Sequence, residues 1–237
     1  MYKVEDHHWW YLGMEAITRA VLDRWLPSTS ALRILDAGCG TGAAMITYLA
    51  EYGMVTGMDL YPQALEFCRK RNASRLARAS VLDLPFAPAS FDLVTSFDVL
   101  YERAVPNEVT ALTEFFRVLT PNGRILLRLP AYDWLRGQHD KSVHTNRRYT
   151  KKLIKELLEQ SGFIVEHLSY ANTLLFPLAV IKRISERFFP PKDEQSDLAL
   201  NVGAFNGIFK YILASEAPFV VHTGLPYGLS VIAVGRK

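Results

Sequence analysis

The stretch ILDAGCGTG, residues 34–42, limits what this chain can fold into more than any other. Ile34 and Leu35 continue an apolar run that ends in Asp36, and glycines follow at Gly38, Gly40 and Gly42. A buried strand that stops at an acid and runs into glycines feeds a ligand-binding turn at the carboxyl edge of a sheet. Glycines are needed there because a Cβ would occupy the ligand's space. The spacing is G-x-G-x-G, one residue tighter than the dinucleotide pattern, in which a pyrophosphate rests on the following helix. The tighter turn suits a ligand that has no pyrophosphate and lies against the backbone.

The rest of the chain alternates strand and helix, the mark of a sheet covered on both faces. Strands are predicted at LRILDAG, MVTGMDL, SRLARAS, Phe91–Phe97, GRILLRLP, FIVEHLSY and YGLSVIAVGRK. Helices are predicted at EAITRAVLDRWL, GAAMITYLAEYG, PQALEFCRKR, VPNEVTALTEFFRVL and TKKLIKELLEQSG. Pro62 opens the third of these and Pro121-Asn122-Gly123 closes the fourth; Thr150 caps the fifth and Gly162 follows its end. With 237 residues, 49% of them hydrophobic, the chain can bury one large α/β core. Residues 1–237 are therefore read as a single domain with an N-terminal helical arm, 1–30. A helical insertion, 171–227, lies between the sixth and seventh strands, with two apolar helical stretches around a Pro-Pro-Lys-Asp-Glu loop.

Composition narrows the partners. A net charge of +3, with no basic run longer than a doublet, argues against nucleic acid. The two cysteines do not make a disulfide framework, which points to a reducing cytoplasm. The mixed-charge, aromatic N-terminus is unlike a signal peptide. The most apolar segment, TLLFPLAVIKRI, is too short to span a bilayer. The expectation is a soluble, cytoplasmic monomer or homodimer, with peripheral membrane contact still compatible and no metal site.

Two further acids complete the ligand markers. Asp59 ends the second strand about 20 residues after the first glycine, where an acid takes ribose hydroxyls. Asp83, followed by Leu84 at the end of the third strand, is placed to receive an adenine amine. In order, ILDAGCGTG, GMDLYPQAL, ARASVLDLPFAPASFDLVTSFDVLYE and EFFRVLTPNGRILLRLP resemble the class I S-adenosylmethionine-dependent methyltransferases of the small, ubiquinone-methyltransferase-like kind. GFIVEHL and GLSVIAVGRK match that family's last two strands.

The resemblance implies a Rossmann-like, doubly wound sheet of order 3-2-1-4-5-7-6 with strand 7 antiparallel. It also implies S-adenosyl-L-methionine as cofactor, leaving S-adenosyl-L-homocysteine as product. The cofactor set is then Tyr11, Asp36, Gly38, Cys39, Gly40, Gly42, Asp59, Leu60, Asp83, Leu84, Phe97 and Asp98. Asp36 would fix the loop and the donor's amino group, and Tyr11 is the contact expected from the aromatic arm HHWWY.

The acceptor end is read from residues 136–152 and from the insertion. His139, His144, Arg147, Arg148 and Tyr149 follow strand five at the edge where substrates bind. Either histidine suits a base near neutral pH. Tyr101 and Glu102 stand just past strand four, where relatives often carry a Glu-His pair, and complete the catalytic candidates. Arg147, Arg148, Tyr149 and, in the insertion, Phe176 are the substrate-binding candidates. The acceptor expected is a small apolar or aromatic molecule: lipid-like, prenylated or a secondary metabolite. The alternative is a non-catalytic adenosylmethionine-binding scaffold for another enzyme.

Overall fold

The computed structural model describes residues 2–26, 31–137, 147–188 and 203–237. Its sheet is built outward from β1 (Leu32–Ala37), whose last four residues are all buried. Such a strand needs cover on both faces and parallel neighbours on both sides. It has them in β2 (Gly53–Asp59) and β4 (Phe91–Phe97). β3 (Leu76–Arg78) lies outside β2, and β5 (Leu119–Pro130) lies beyond β4. β7 (Ser230–Arg236) inserts antiparallel between β5 and β6 (Ile164–Ala171). The order 3-2-1-4-5-7-6 is the one expected. It reverses between β1 and β4, which opens a crevice at their carboxyl ends.

The helices follow their caps more closely than their apolar spacing. α1 (Trp9–Trp25) begins earlier than predicted, because the His8 Nδ1 accepts from the Trp10 amide at 3.3 Å and starts the helix inside the aromatic run. The segment after the glycine turn divides into α2 (Ala43–Thr47) and a short 3₁₀ turn at Leu49–Glu51. Tyr48 breaks it, leaving helical φ at −143° while its ring is buried. α3 (Pro62–Lys70) starts at its proline. α4 (Glu108–Val118) begins only after Asn107, whose Oδ1 accepts from the Val109 and Thr110 amides. β5 starts at Leu119, so Pro121-Asn122-Gly123 lies within the strand as an irregularity in its pairing with β4 rather than as a separate turn. α5 (Lys151–Gln160) has Thr150 as N-cap and Gly162, at φ 92°, just past its end.

Among the described residues, the insertion between β6 and β7 contains three α-helices where two apolar helical stretches were expected: α6 (Phe176–Phe188), α7 (Asn206–Ala214) and α8 (Ala217–His222). Ser215 and Glu216 end α7, and Pro218 restarts the chain in the first turn of α8. The Pro-Pro-Lys-Asp-Glu loop lies outside the described residues. α7 crosses α1 closely at Gly13, where an added Cβ would stand 2.7 Å from the Leu213 side chain. Asn206 bridges the two: its Oδ1 accepts from the Trp9 amide at 2.8 Å and its Nδ2 donates to the His7 carbonyl at 2.7 Å. No described helix is long and apolar enough to cross a membrane.

Candidate active site

The site begins at the glycine turn. The Gly38 and Cys39 amides both donate to the Met58 carbonyl, at 2.7 and 2.9 Å, which folds the turn over the end of β2. All three glycines have positive φ, yet they serve different ends. A Cβ on Gly38 would meet Val99 at 2.2 Å, and one on Gly42 would meet the Cys68 sulfur at 2.9 Å. A Cβ on Gly40 would meet no protein atom within 4 Å, since it would stand in the cavity. Gly42 backs onto α3 and is not on the cavity wall.

Two acids flank this turn. Asp59 is buried, its Oδ2 accepting from the Gly40 amide and its Oδ1 from the Tyr61 amide, each at 2.9 Å. Burial raises its pKa and those amides hold it down. Asp36 is almost wholly enclosed, and its Oδ1 accepts from the Thr95 hydroxyl at 2.8 Å. Burial pushes its carboxyl up to about 6 against the restraint of that bond. Cys39 and Cys68 are free thiols whose sulfurs lie 3.7 Å apart behind the turn. Their mutual hydrogen bond, with burial, raises the Cys39 pKa, and the same bond lowers that of Cys68.

A cavity of 1020 Å³ runs from this turn to α6 of the insertion. That volume is at the upper end for a small-molecule site. At the turn it is walled by Asp36, Gly38, Cys39, Gly40, Asp59 and Leu60, with Ala79–Val81 and Glu102 beside them. Trp10, Tyr11, Phe97, Asp98 and Arg128 form its waist. Leu135, Arg148, Asn172, Leu175, Leu178, Lys182 and Arg183 form the far end. Glu102 is pushed up to about 7, first by burial and then by the charge of Asp59. Tyr11 is pushed up to about 12 by burial and by the nearby Glu5 and Asp98 carboxylates.

Arg128 was not singled out from the sequence. Its guanidinium binds the Asp98 Oδ2 at 2.8 Å and sits 5.0 Å from the Trp10 ring centroid and 4.9 Å from that of Phe97. Burial works against its charge, but Asp98 raises its pKa overall. Within the apolar strand GRILLRLP, an inward arginine leaves no periodic signal. Glu5 was likewise overlooked: it is buried, accepts from the Thr41 hydroxyl of the turn and pairs with Arg71 at 2.9 Å. Arg71 also pairs with Asp6, and the Tyr2 ring stacks on Phe67 at 4.6 Å, so residues 2–6 strap the turn to α3. Asn172 follows β6 at φ 61°, and both atoms of its buried amide lack a partner among the described residues.

Several expected contacts are not made. Asp83 is exposed and off the cavity wall, in a turn where it bridges Ser80, and Leu84 is in the core. β3 ends at Arg78, before the expected end at Ser80, and Ala79, Ser80 and Val81 line the cavity where Asp83 and Leu84 were expected. Of the described residues of the basic cluster, Arg147, Arg148 and Tyr149, only Arg148 lines the cavity. Tyr149 is wholly buried, donating to the Leu100 carbonyl and Glu108 at 2.9 Å, while Arg147 pairs with Glu108 at 2.5 Å. The bridge of Tyr149 to Ala131 fixes this alternation. Phe176 lies off the cavity in an aromatic cluster, 5.3 Å from Tyr227 and 5.9 Å from Tyr132. It clasps the insertion to the body. Tyr101 and Glu102 do line the cavity. His139 and His144 lie outside the described residues.

A seven-stranded sheet of this order, with a glycine turn after β1 and acids at the ends of β1 and β2, defines a Rossmann-like methyltransferase fold. Residues 35–127 match the family model described as a methyltransferase domain. A putative methyltransferase of Encephalitozoon cuniculi is 34% identical over 145 residues, covering 61% of this chain and 59% of that protein. A 2-phytyl-1,4-naphtoquinone methyltransferase of Nostoc sp. is 27% identical over 217 residues, covering 87% and 86%. Among solved structures, a chain of the complex between the Haloferax volcanii Trm112 methyltransferase activator and a putative methyltransferase superposes with a TM-score of 0.64. It is 18% identical and covers 99% of this chain and 92% of its own. The chain spans about half to three-fifths of the length of the first curated relatives that it matches. By this domain match and these relatives the chain is similar to the class I S-adenosylmethionine-dependent methyltransferases.

Proposed function

We propose that the chain transfers a methyl group from S-adenosylmethionine to a small, largely apolar or aromatic acceptor. The observation that carries this reading is the single cavity joining the glycine turn to the insertion. One end is polar and acidic, and the other is lined by Leu135, Leu175 and Leu178 with basic side chains beside them.

The residues present fit the donor. Space in front of Gly40 admits a ligand against the backbone, Asp59 stands where a ribose is held, and Asp36 provides a negative wall for an amino group. Ser80, rather than Asp83, is the polar group after β3 on the adenine side. Arg128 offers a cation for the donor's carboxylate from β5, a role the arm sequence Gly13-Met14-Glu15 does not supply. Bound there, S-adenosylmethionine brings an already activated methyl on a sulfonium. The chain's own task is therefore to align the acceptor and exclude water, which is catalysis by proximity. Trp10, Tyr11 and Phe97 wall the waist between the two halves, and aromatic faces favour a neighbouring cation.

The acceptor end supports the apolar reading. Helix α6 brings Leu178 and Ala179 to the cavity, with Lys182 and Arg183 one turn further along. The Nostoc relative's name specifies a prenylated quinone, which is of this class. Residues 1–237 are accordingly read as one catalytic domain, with the insertion as its lid. The test is to incubate the protein with methyl-labelled donor and fractionated cell extract, and to follow the label. Transfer to an apolar small-molecule fraction is expected. Adenosylhomocysteine binding with no transfer to any fraction would instead favour the non-catalytic scaffold.

A further inference from the structure

The two cysteines are the only ones in the chain, and the fold brings them together at the cofactor turn. Cys39 lies between Gly38 and Gly40 on the cavity wall, and Cys68 projects from α3 behind it. Their sulfurs are 3.7 Å apart. A disulfide needs about 2.05 Å, so a displacement of under 2 Å shared between two side chains closes the gap. Nothing stands between them: Cys68 touches the turn, its Sγ 3.3 Å from the Gly40 carbonyl. A contact so close at a ligand site is not needed for packing, since a small apolar residue fills such a place equally well.

We infer that Cys39 and Cys68 form an oxidisable pair, and that their disulfide shuts the cofactor turn. The oxidant is a peroxide. A peroxide entering the cavity that Cys39 bounds meets its thiol; the sulfur attacks the peroxide oxygen, the O–O bond breaks, a sulfenic acid forms, and the thiol's proton leaves with the departing hydroxide as one water. The Cys68 sulfur then attacks the sulfenic sulfur, the S–S bond forms, the S–O bond breaks and the departing hydroxide takes the Cys68 proton as a second water. Two thiols are oxidised by two electrons, and one peroxide becomes two waters. A dithiol reverses the reaction by exchange. In a reducing compartment such a bond is transient, which is how redox-sensing pairs behave.

The effect on binding follows from the turn's hydrogen bonds. The Cys39 amide is tied to Met58, its carbonyl accepts from the Gly42 amide, and the next amide, Gly40, is held by Asp59. Drawing Cys39 toward α3 pulls on each of these and moves Gly40, which bounds the ligand's space. A ligand lying on the turn, in turn, screens Cys39 from the peroxide. The free protein is then the oxidisable form and the loaded protein the protected one. This part rests on the turn being the donor site, as proposed above.

The experiment treats the full chain with hydrogen peroxide, with and without saturating adenosylhomocysteine. Peptide mass spectrometry reads the Cys39–Cys68 crosslink, and calorimetry reads adenosylhomocysteine affinity. Expected is a crosslink in the free protein, formed faster as pH rises, with affinity weakened by about tenfold or more and restored by dithiothreitol. Adenosylhomocysteine should slow the crosslink. Cys68→Ala should keep its own untreated affinity after the same treatment. No crosslink in protein that binds adenosylhomocysteine when reduced overturns the inference, as does a crosslink that leaves affinity unchanged. If the reduced protein itself fails to bind adenosylhomocysteine, the donor assignment falls instead.

Discussion

The sheet and the helical insertion of this molecule are held together by different means. From β1 to β5, backbone ladders fix the site: parallel pairing places Asp36 and Asp59 side by side at neighbouring strand ends, and backbone amides bind the turn. In the insertion, helices α6 to α8 dock through side chains. Gly13 lets α7 approach α1, Asn206 fastens them, and Phe176 sits in a ring cluster with Tyr132, Trp134 and Tyr227. A half built on shared strand geometry keeps its shape across many relatives. A half docked by side chains can change its contacts with little effect on the sheet. Binding the common donor in the first and the particular acceptor in the second suits that division.

The sharpest way to break the comparison is at Gly40. Gly40→Val puts two methyls into the cavity at a backbone of φ 55°. Adenosylhomocysteine affinity should fall by about a hundredfold or more, near 3 kcal/mol, with the fold retained. Calorimetry with a circular dichroism control measures both. A normal dissociation constant would remove the turn from the donor site.

Asp59→Ala should weaken the same ligand by roughly 1.5–3 kcal/mol, the range for hydrogen bonds to a charged group. The lid should stay docked, because no lid residue bonds to Asp59 among the described contacts. Unchanged affinity by calorimetry would reject the ribose assignment.

Gly13→Ala tests the other half. Its Cβ would lie 2.7 Å from Leu213, and overpacking of this kind costs about 1–3 kcal/mol. Thermal unfolding should shift down and turnover with a confirmed acceptor should fall, while adenosylhomocysteine affinity changes much less. Should donor affinity collapse in step with turnover, the two halves are not separable.

Glu102 gives the smallest effect and the one tied to pH. Its pKa in the folded chain is about 7, against an ordinary value of 4.5. A carboxyl raised on folding opposes stability wherever the unfolded chain is ionised and the folded one resists ionisation. Below about pH 4.5 both forms are protonated and the penalty is absent; it grows as pH rises to 7 and is complete above that. Glu102→Gln should therefore stabilise the protein at pH 8 by about 1–2 kcal/mol, allowing for the side chain's remaining exposure, and have no such effect near pH 4. Melting curves at the two pH values give the comparison. Equal shifts at both would mean that Glu102 is not held protonated beside Asp59.

What the sequence determined by itself was local or periodic. The glycine spacing, the acids at two strand ends, Pro62 and Thr150 as helix starts, and the alternation of strand and helix each act through near neighbours, so the strands and the glycine turn were legible, while the sheet order came from the family resemblance. Caps moved the boundaries: His8 began α1 early and Asn107 began α4 late, because one side-chain acceptor outweighs a turn of apolar spacing. Only the tertiary structure decided which side chains meet in the cavity. Tyr149 fell outside it because successive residues at its bridge to Ala131 point to opposite sides, and Asp83 because the turn it closes with Ser80 carries it away from the cavity wall. Arg128 entered it because its partners, Trp10, Phe97 and Asp98, come from elements far apart in the chain. A buried cation is stable only where such partners converge, and convergence at a distance leaves no mark in the sequence around it.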